Sequence, residues 1–369
     1  MHYSAPSHCI SFIYLKVILT ESQLSKVSSA LREFTCDAMV GKDISDNFAA
    51  RRQAQDRIKG SRLVFTTCAG AGLGLLRSKS FDVVLIDEAS QQAEPESLIP
   101  LTKGCHRAIL VGDHVQLRAT VQKHAVVAGF DISLFERHYN MSTMPGVAKV
   151  MLDTQYRMHS DISSFSSAEF YDGKLKTAAN IDEMRVITPS KFPWPADARK
   201  VFIQCTSPED LGHQSKANPG QVDLCRLVCK LLQSPVESST SSSSQRGEIN
   251  LSATGSPPMD IAILTPYTRQ KDLLESTIPS LNVSSIDGYQ GREADVIIFV
   301  TVRSNVHCET GFLKDMRRLN VAMTRARVGV IIIGNRATLT GRGSDDSDAE
   351  SKGVWKRLLD GCTEVNLPG

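Results

Sequence analysis

The stretch FDVVLIDEASQ, Phe81 to Gln91, runs from a short apolar, β-branched segment into two adjacent carboxylates. A nearly continuous apolar run of this kind suits a parallel strand covered by helices on both faces. Asp87 and Glu88 then fall at its carboxyl end, the edge at which open α/β sheets bind ligands. An Asp there can hold a hydrated Mg2+ beside phosphates, and a neighbouring Glu can orient or deprotonate an attacking water. Strand ends also carry Asp for capping and turn formation, so the pair takes its meaning from what surrounds it.

Upstream, Leu63 to Cys68 reads as a strand that enters the turn Cys68-Ala69-Gly70-Ala71-Gly72-Leu73-Gly74, a phosphate cradle only in outline. Arg51 to Lys59 is polar and basic, a solvated helix face. Leu24, Val27, Leu31 and Phe34 recur at helical spacing and predict an amphipathic helix over Glu21 to Phe34. Residues 1 to 20 fit a core strand but carry no clear pattern. Downstream, Ala108 to Val111 is a strand that ends in Gly112-Asp113-His114-Val115-Gln116-Leu117. Strands alternating with helical stretches predict a parallel, doubly wound sheet.

A second set of parallel-type strands comprises Val201 to Cys205, Ile261 to Tyr267, Val283 to Ile286, Ala294 to Val302 and Val328 to Gly334. Ser234 to Pro258 is dominated by Ser, Thr, Pro and Gly and reads as a disordered insertion within the second domain. The division is expected at 1–140 and 141–340, followed by a polar loop at Arg342 to Lys352 and a closing helix at Trp355 to Leu359.

Composition narrows the class without naming it. The 369 residues suffice for two or three domains, and 42 basic against 40 acidic residues give a net charge of only +2, so a basic track would have to be local. The nine cysteines show no zinc-type pairing and imply a reducing compartment. The apolar run Cys9 to Leu19 is too short to span a bilayer and contains Lys16. No targeting signal is found, which permits cytoplasm or nucleus.

Five clusters lie in one order: DEASQ at Asp87, GDHVQL at Gly112, QYRMH at Gln155 to His159, DGYQGRE at Asp287 to Glu293 and RRLNVAMTRAR at Arg317 to Arg327. Together they resemble motifs II to VI of the superfamily one helicases, in the Upf-type and Smubp-type branch, over roughly residues 60 to 340. The resemblance implies an α/β fold of two RecA-like parallel-sheet domains of a P-loop NTPase, the first one incomplete. It implies an ATP-dependent 5′-to-3′ helicase or translocase on single-stranded RNA or DNA, using ATP and Mg2+, with protein partners of a larger helicase complex and no membrane.

By the same resemblance, Asp87 holds the metal, Glu88 positions water and Gln116 senses the γ-phosphate. Arg157 and Arg325 point at the γ-phosphate, Arg325 as arginine finger, because a planar fork matches phosphate oxygens. Tyr156 and Glu293 contact base and ribose, with Gly291 in the same loop. Thr66, Thr67, Thr265, Pro266, Tyr267, Thr301 and Arg303 occupy the nucleic-acid track. Tyr267 either stacks on a base or packs at its strand end.

One motif is missing. The family opens its first domain with G-x-x-x-x-G-K-[ST], whose amides and Lys hold phosphates, and the sequence contains no such loop, nor the adenine-recognising Gln upstream of it. Gly41-Lys42 is followed by Asp43. The expectation is a truncated helicase or a fragment of one, its first domain short of a strand and a helix, with a sheet edge or apolar face uncovered. The other expectation is an inactive binding module for nucleic acid or a partner helicase.

Overall fold

The structure is a computed structural model and describes residues 10–13, 52, 55–56, 58–141, 145–196, 198–210, 212, 215–235, 259–341 and 348–367. The helix expected over 21–34 and nearly all of the insertion expected over 234–258 lie outside these residues. Two compact units are formed, Met1–Leu152 and Asp153–Gly369.

The first unit is built on four parallel strands: β1 (Ile10–Ile13), β2 (Val83–Ile86), β3 (Arg107–Leu110) and β4 (Val147–Val150), in the spatial order β2-β3-β1-β4. The division between units falls after β4, twelve residues later than the sequence reading places it, because Val147–Val150 pairs with β1. Val84, Ile86 and Leu110 pack with Ala89 and with Leu134 and Phe135 of the helix Leu134–Asn140.

That core lies on one face of β2 only. Val83 and Leu85 alternate to the other face and are 56% and 60% exposed, so the expected two-sided cover is absent among the described residues. Leu63 to Cys68, expected as a strand, is not one. Leu63 and Phe65 are exposed in an irregular segment, and Cys68–Ala71 is a short helix. The physical reason is that a strand needs a ladder. Among the described residues β2 ends the sheet, with nothing hydrogen-bonded to its outer side.

The second unit has six parallel strands: β7 (Lys200–Gln204), β8 (Ile261–Thr265), β9 (Asn282–Ser285), β10 (Ala294–Val300), β11 (Ala326–Gly334) and β12 (Thr363–Glu364), ordered β12-β7-β11-β10-β8-β9. A two-residue ladder joins β5 (Thr154–Gln155) to β6 (Lys176–Thr177). Apolar runs such as Val296 to Val300 and Val330 to Ile333 are fully buried, as a parallel strand covered on both faces should be. The helix Pro219–Gln233 packs Val222, Cys225, Val228, Cys229 and Leu232 onto Val201, Ile203 and Ile298. Phe299 stacks on Trp355 at 6.1 Å. Trp355 belongs to the helix Ala349–Asp360, which begins earlier than expected and takes in Ser351 and Lys352 from the predicted loop. Gly329 is demanded by packing, since a Cβ there would run into the Trp194 ring.

Candidate functional site

In the first unit the chemistry gathers where β2 and β3 end. Val111 N–H donates to Ile86 O (2.9 Å) and Ala89 N–H to Val111 O (2.7 Å), lacing the two strand exits together. Ser90 Oγ accepts from Asp113 N–H at 3.1 Å. Gly112 permits this approach, because an added Cβ would stand 2.8 Å from Ser90 N and 3.3 Å from Ala89 N. The segment after the acid pair and the GDHVQL segment are thereby one rigid turn pair.

Asp87 and Glu88 are exposed at this edge. Asp87 Oδ1 accepts from Glu88 N–H (3.0 Å), and Glu88 Oε2 accepts from Gln91 Nε2 (2.7 Å). Glu88 lies in the left-handed region, φ 50 and ψ 38, uncommon for a residue with a side chain. Gln116 donates Nε2 to Asp113 Oδ2 at 2.6 Å. Ser90, Gln91 and Asp113 were not singled out from the sequence. They stand inside the motifs, but nothing in their spacing announces the laced turns.

In the second unit, the QYRMH segment is a turn wrapped around its own first side chain. Gln155 Oε1 accepts from Arg157 N–H (2.9 Å) and Met158 N–H (2.8 Å), while its Nε2 donates to Met158 O and Thr177 Oγ1, both at 2.8 Å. His159 N–H donates to Arg327 O at 2.9 Å, tying the turn to β11. Tyr156 projects outward, 58% exposed, and Arg157 inward, 8% exposed.

Arg157 donates Nε to Glu293 Oε2 (2.5 Å) and Nη1 to Thr324 O (2.7 Å). Arg325, 1% exposed, donates Nη2 to Thr324 Oγ1 (3.0 Å) and Nε to Val321 O (3.1 Å). The two arginines therefore converge on Thr324, one on its carbonyl and the other on its hydroxyl. Glu293 also meets Arg327 Nη1 at 3.4 Å, and Arg327 Nε donates to Asp295 Oδ1 at 2.9 Å. Gly291 stands exposed at φ 80, a backbone state that favours glycine.

The residues expected on a nucleic-acid track are largely packed. Thr66 and Thr67 are exposed, Thr67 Oγ1 capping the Cys68–Ala71 helix by accepting from Gly70 N–H at 3.0 Å. Thr265 is buried, and its Oγ1 has no hydrogen-bond partner among the described residues; Pro266 is half-buried. Tyr267 is buried against Phe312, with ring centroids 5.4 Å apart, so it takes the packed alternative rather than presenting its face. Burial pushes its phenol pKa up. Thr301 Oγ1 donates to Ile333 O at 3.0 Å. Arg303, 3% exposed, donates to Glu309 O at 2.8 Å and pairs with Glu209 at 3.3 Å.

Between those last two residues the backbone is strained. Val302 has φ 69, and Arg303 N–H closes on Thr301 O at 2.8 Å, which makes a γ-turn of the rare left-handed kind. Gln221 Oε1 accepts from Val302 N–H (2.7 Å), and Asn218 Nδ2 donates to Val302 O (3.1 Å).

Asp87 fits a magnesium ion shared with phosphates: one exposed carboxylate at a strand end is what such an ion takes from a protein, the rest being water and substrate. No group of three or more ligand side chains able to cage a metal is found among the described residues. No helix among them is long and apolar enough to cross a membrane.

Two family profiles match the sequence, both described as an AAA domain, over residues 19–124 and 130–337. The regulator of nonsense transcripts 1 homolog of Neurospora crassa is 36% identical over 301 residues, covering 78% of this chain and 26% of its own length. The ATP-dependent helicase NAM7 of Saccharomyces cerevisiae is 35% identical over 305 residues, 78% of this chain and 29% of its own length. Among solved structures, the PRRSV helicase aligns at 15% identity with a TM-score of 0.37, over 90% of this chain and 48% of that one, too loose a match to build on.

Proposed function

The chain belongs to the Upf-type branch of the superfamily one helicases, and from that membership we propose that it couples ATP hydrolysis to 5′-to-3′ movement along single-stranded RNA or DNA. The activity of the full-length relatives, of which the chain spans 26% and 29%, is part of this proposal, as are any protein partners in a larger assembly. The observation that carries it is the convergence of Arg157 and Arg325 on Thr324, with Tyr156 exposed next to Arg157 and Glu293 between two guanidiniums.

In this reading Arg157 and Arg325 stabilise charge on the transferred phosphoryl group, and Tyr156 and Glu293 receive base and ribose. Glu88 orients the attacking water, and Gln116, now bonded to Asp113, reports the terminal phosphate to the turn pair it belongs to. Asp87 would hold Mg2+, whose charge offsets that of the phosphates when the ion is bound. Thr66, Thr67, Thr265, Pro266, Thr301 and Arg303 remain the proposed nucleic-acid track. Its buried members act by fixing backbone at the carboxyl ends of β8 and β10.

A second reading, a binding module without turnover, is favoured by one observation: no G-x-x-x-x-G-K-[ST] stands anywhere in the 369 residues. The two are separated by measuring ATP hydrolysis by the purified chain with and without single-stranded RNA or DNA, beside Glu88→Gln and Arg325→Ala. The motor reading expects stimulated turnover that drops by about 100-fold or more in each variant. Retained nucleic-acid binding without any turnover means a fragment of the motor or a binding module, which the same assay on a chain extended upstream separates.

A further inference from the structure

Arg185 lies outside all five motifs, in the stretch Ile181-Asp182-Glu183-Met184-Arg185, and reaches the QYRMH turn from behind. It donates Nε to Arg157 O at 2.8 Å and Nη2 to Tyr156 O at 3.1 Å, so one guanidinium fork grips two consecutive backbone carbonyls. Its own backbone is fixed at the end of the short helix Ile181–Met184, where its N–H donates to Ile181 O at 3.0 Å. That helix is pinned in turn: the Asp182 carboxylate accepts from Ser160 N–H (2.7 Å) and Ser160 Oγ (2.6 Å), at the start of the helix that leaves the QYRMH turn. The turn, the helix after it and Arg185 close a triangle.

A neutral donor would hold two carbonyls without the cost of a buried charge. Burial, and then the charge of Arg327 nearby, push the Arg185 pKa below its usual value, with Arg157 adding to the effect and Glu293 and Asp295 opposing it. No carboxylate forms an ion pair with Arg185 among the described residues. The nearby carboxylates are engaged by the other guanidiniums, Glu293 by Arg157 and Arg327, and Asp295 and Asp260 by Arg327.

We propose that Arg185 is a positioning residue of the nucleotide site: its two-pronged grip on the Tyr156 and Arg157 carbonyls sets the angle from which both side chains meet the nucleotide. This rests on reading Tyr156 and Arg157 as nucleotide contacts. Charge alone does not do the work, because an ammonium offers one nitrogen where the turn needs two in a plane.

The test titrates the full chain with a fluorescent ATP analogue and Mg2+, using R185K, R185Q, R157A and the double variant R157A/R185K, with R226K as an exposed control. Amide exchange at residues 156–159 and the melting temperature are followed in parallel. R185K and R185Q should each weaken nucleotide binding by at least about tenfold, the loss expected for a charge-assisted hydrogen bond. Exchange at 156–159 should rise at an unchanged melting temperature, and R185K should cost less in the R157A background than in the wild type, since the Arg157 share of its effect is already gone and only the Tyr156 share remains. Wild-type affinity and exchange in R185K, or a loss from R185K as large in the R157A background as in the wild type, overturn the proposal alone. A wild-type chain with no affinity for the nucleotide overturns the reading of the site and this proposal with it.

Discussion

Glu88 holds its carboxylate on backbone twisted to φ 50, where a Cβ costs on the order of 1–2 kcal/mol. That cost is tolerated because both sides of the residue are fixed: Asp87 takes its N–H, and Ala89 behind it is bonded to Val111. Strain of this kind gathers where function needs one geometry. The backbone contribution can be isolated by comparing Glu88→Ala with Glu88→Gly. At ordinary backbone angles alanine is the more stable choice, but here Glu88→Gly should exceed Glu88→Ala by roughly 1 kcal/mol in chemical denaturation. The opposite order would show that the left-handed turn is not held in solution. Val302 repeats the pattern in the second unit, with Gln221 and Asn218 as its clamps.

At the level of elements, the helix Ser160–Phe170 depends on a histidine cap. His159 Nδ1 accepts from Asp161 N–H at 3.1 Å, a role open only to the neutral ring. Burial, reinforced by the charge of Arg199, pushes the His159 pKa down, and Asp182 at 3.8 Å pulls the other way without prevailing. A histidine depressed on folding stabilises fully above its unfolded pKa of about 6.5 and loses that contribution as pH falls toward the lower folded value. The melting temperature of the second unit should therefore drop between about pH 7 and pH 5, and His159→Asn, a cap that does not titrate, should flatten the curve. An equally steep curve in the variant would place the titration elsewhere. Strands of this unit were legible because their apolar runs are continuous, as at Val296 to Val300. Leu63 to Cys68 looked equally strand-like and formed none, since a ladder depends on a neighbour that local sequence does not encode. The acids, Arg157 and Arg325 stood out within motifs. Arg185 did not, because a single arginine after IDEM carries no periodicity or spacing, and only the folded turn shows which carbonyls it grips.

Among the described residues of the whole molecule, the two units are unevenly covered. The second unit buries the long strands β7, β8, β10 and β11, whereas among the described residues the first leaves Val83 and Leu85 of β2, and Leu63 and Phe65, exposed. Burying one such side chain is worth roughly 1.5–3 kcal/mol, so the uncovered face is a standing drive toward any apolar surface. Replacing Val83 and Leu85 together by lysine should lower concentration-dependent light scattering while leaving the second unit's melting transition in place. Scattering that does not change would move the sticky surface away from β2. Among the described residues an open strand edge stands beside a bare apolar face, and such an edge also sets a clock. Loss by pairwise encounter grows with the square of concentration, so the useful lifetime of this polypeptide is governed by how much of it is made at once, and a cell that kept it scarce would keep it longer.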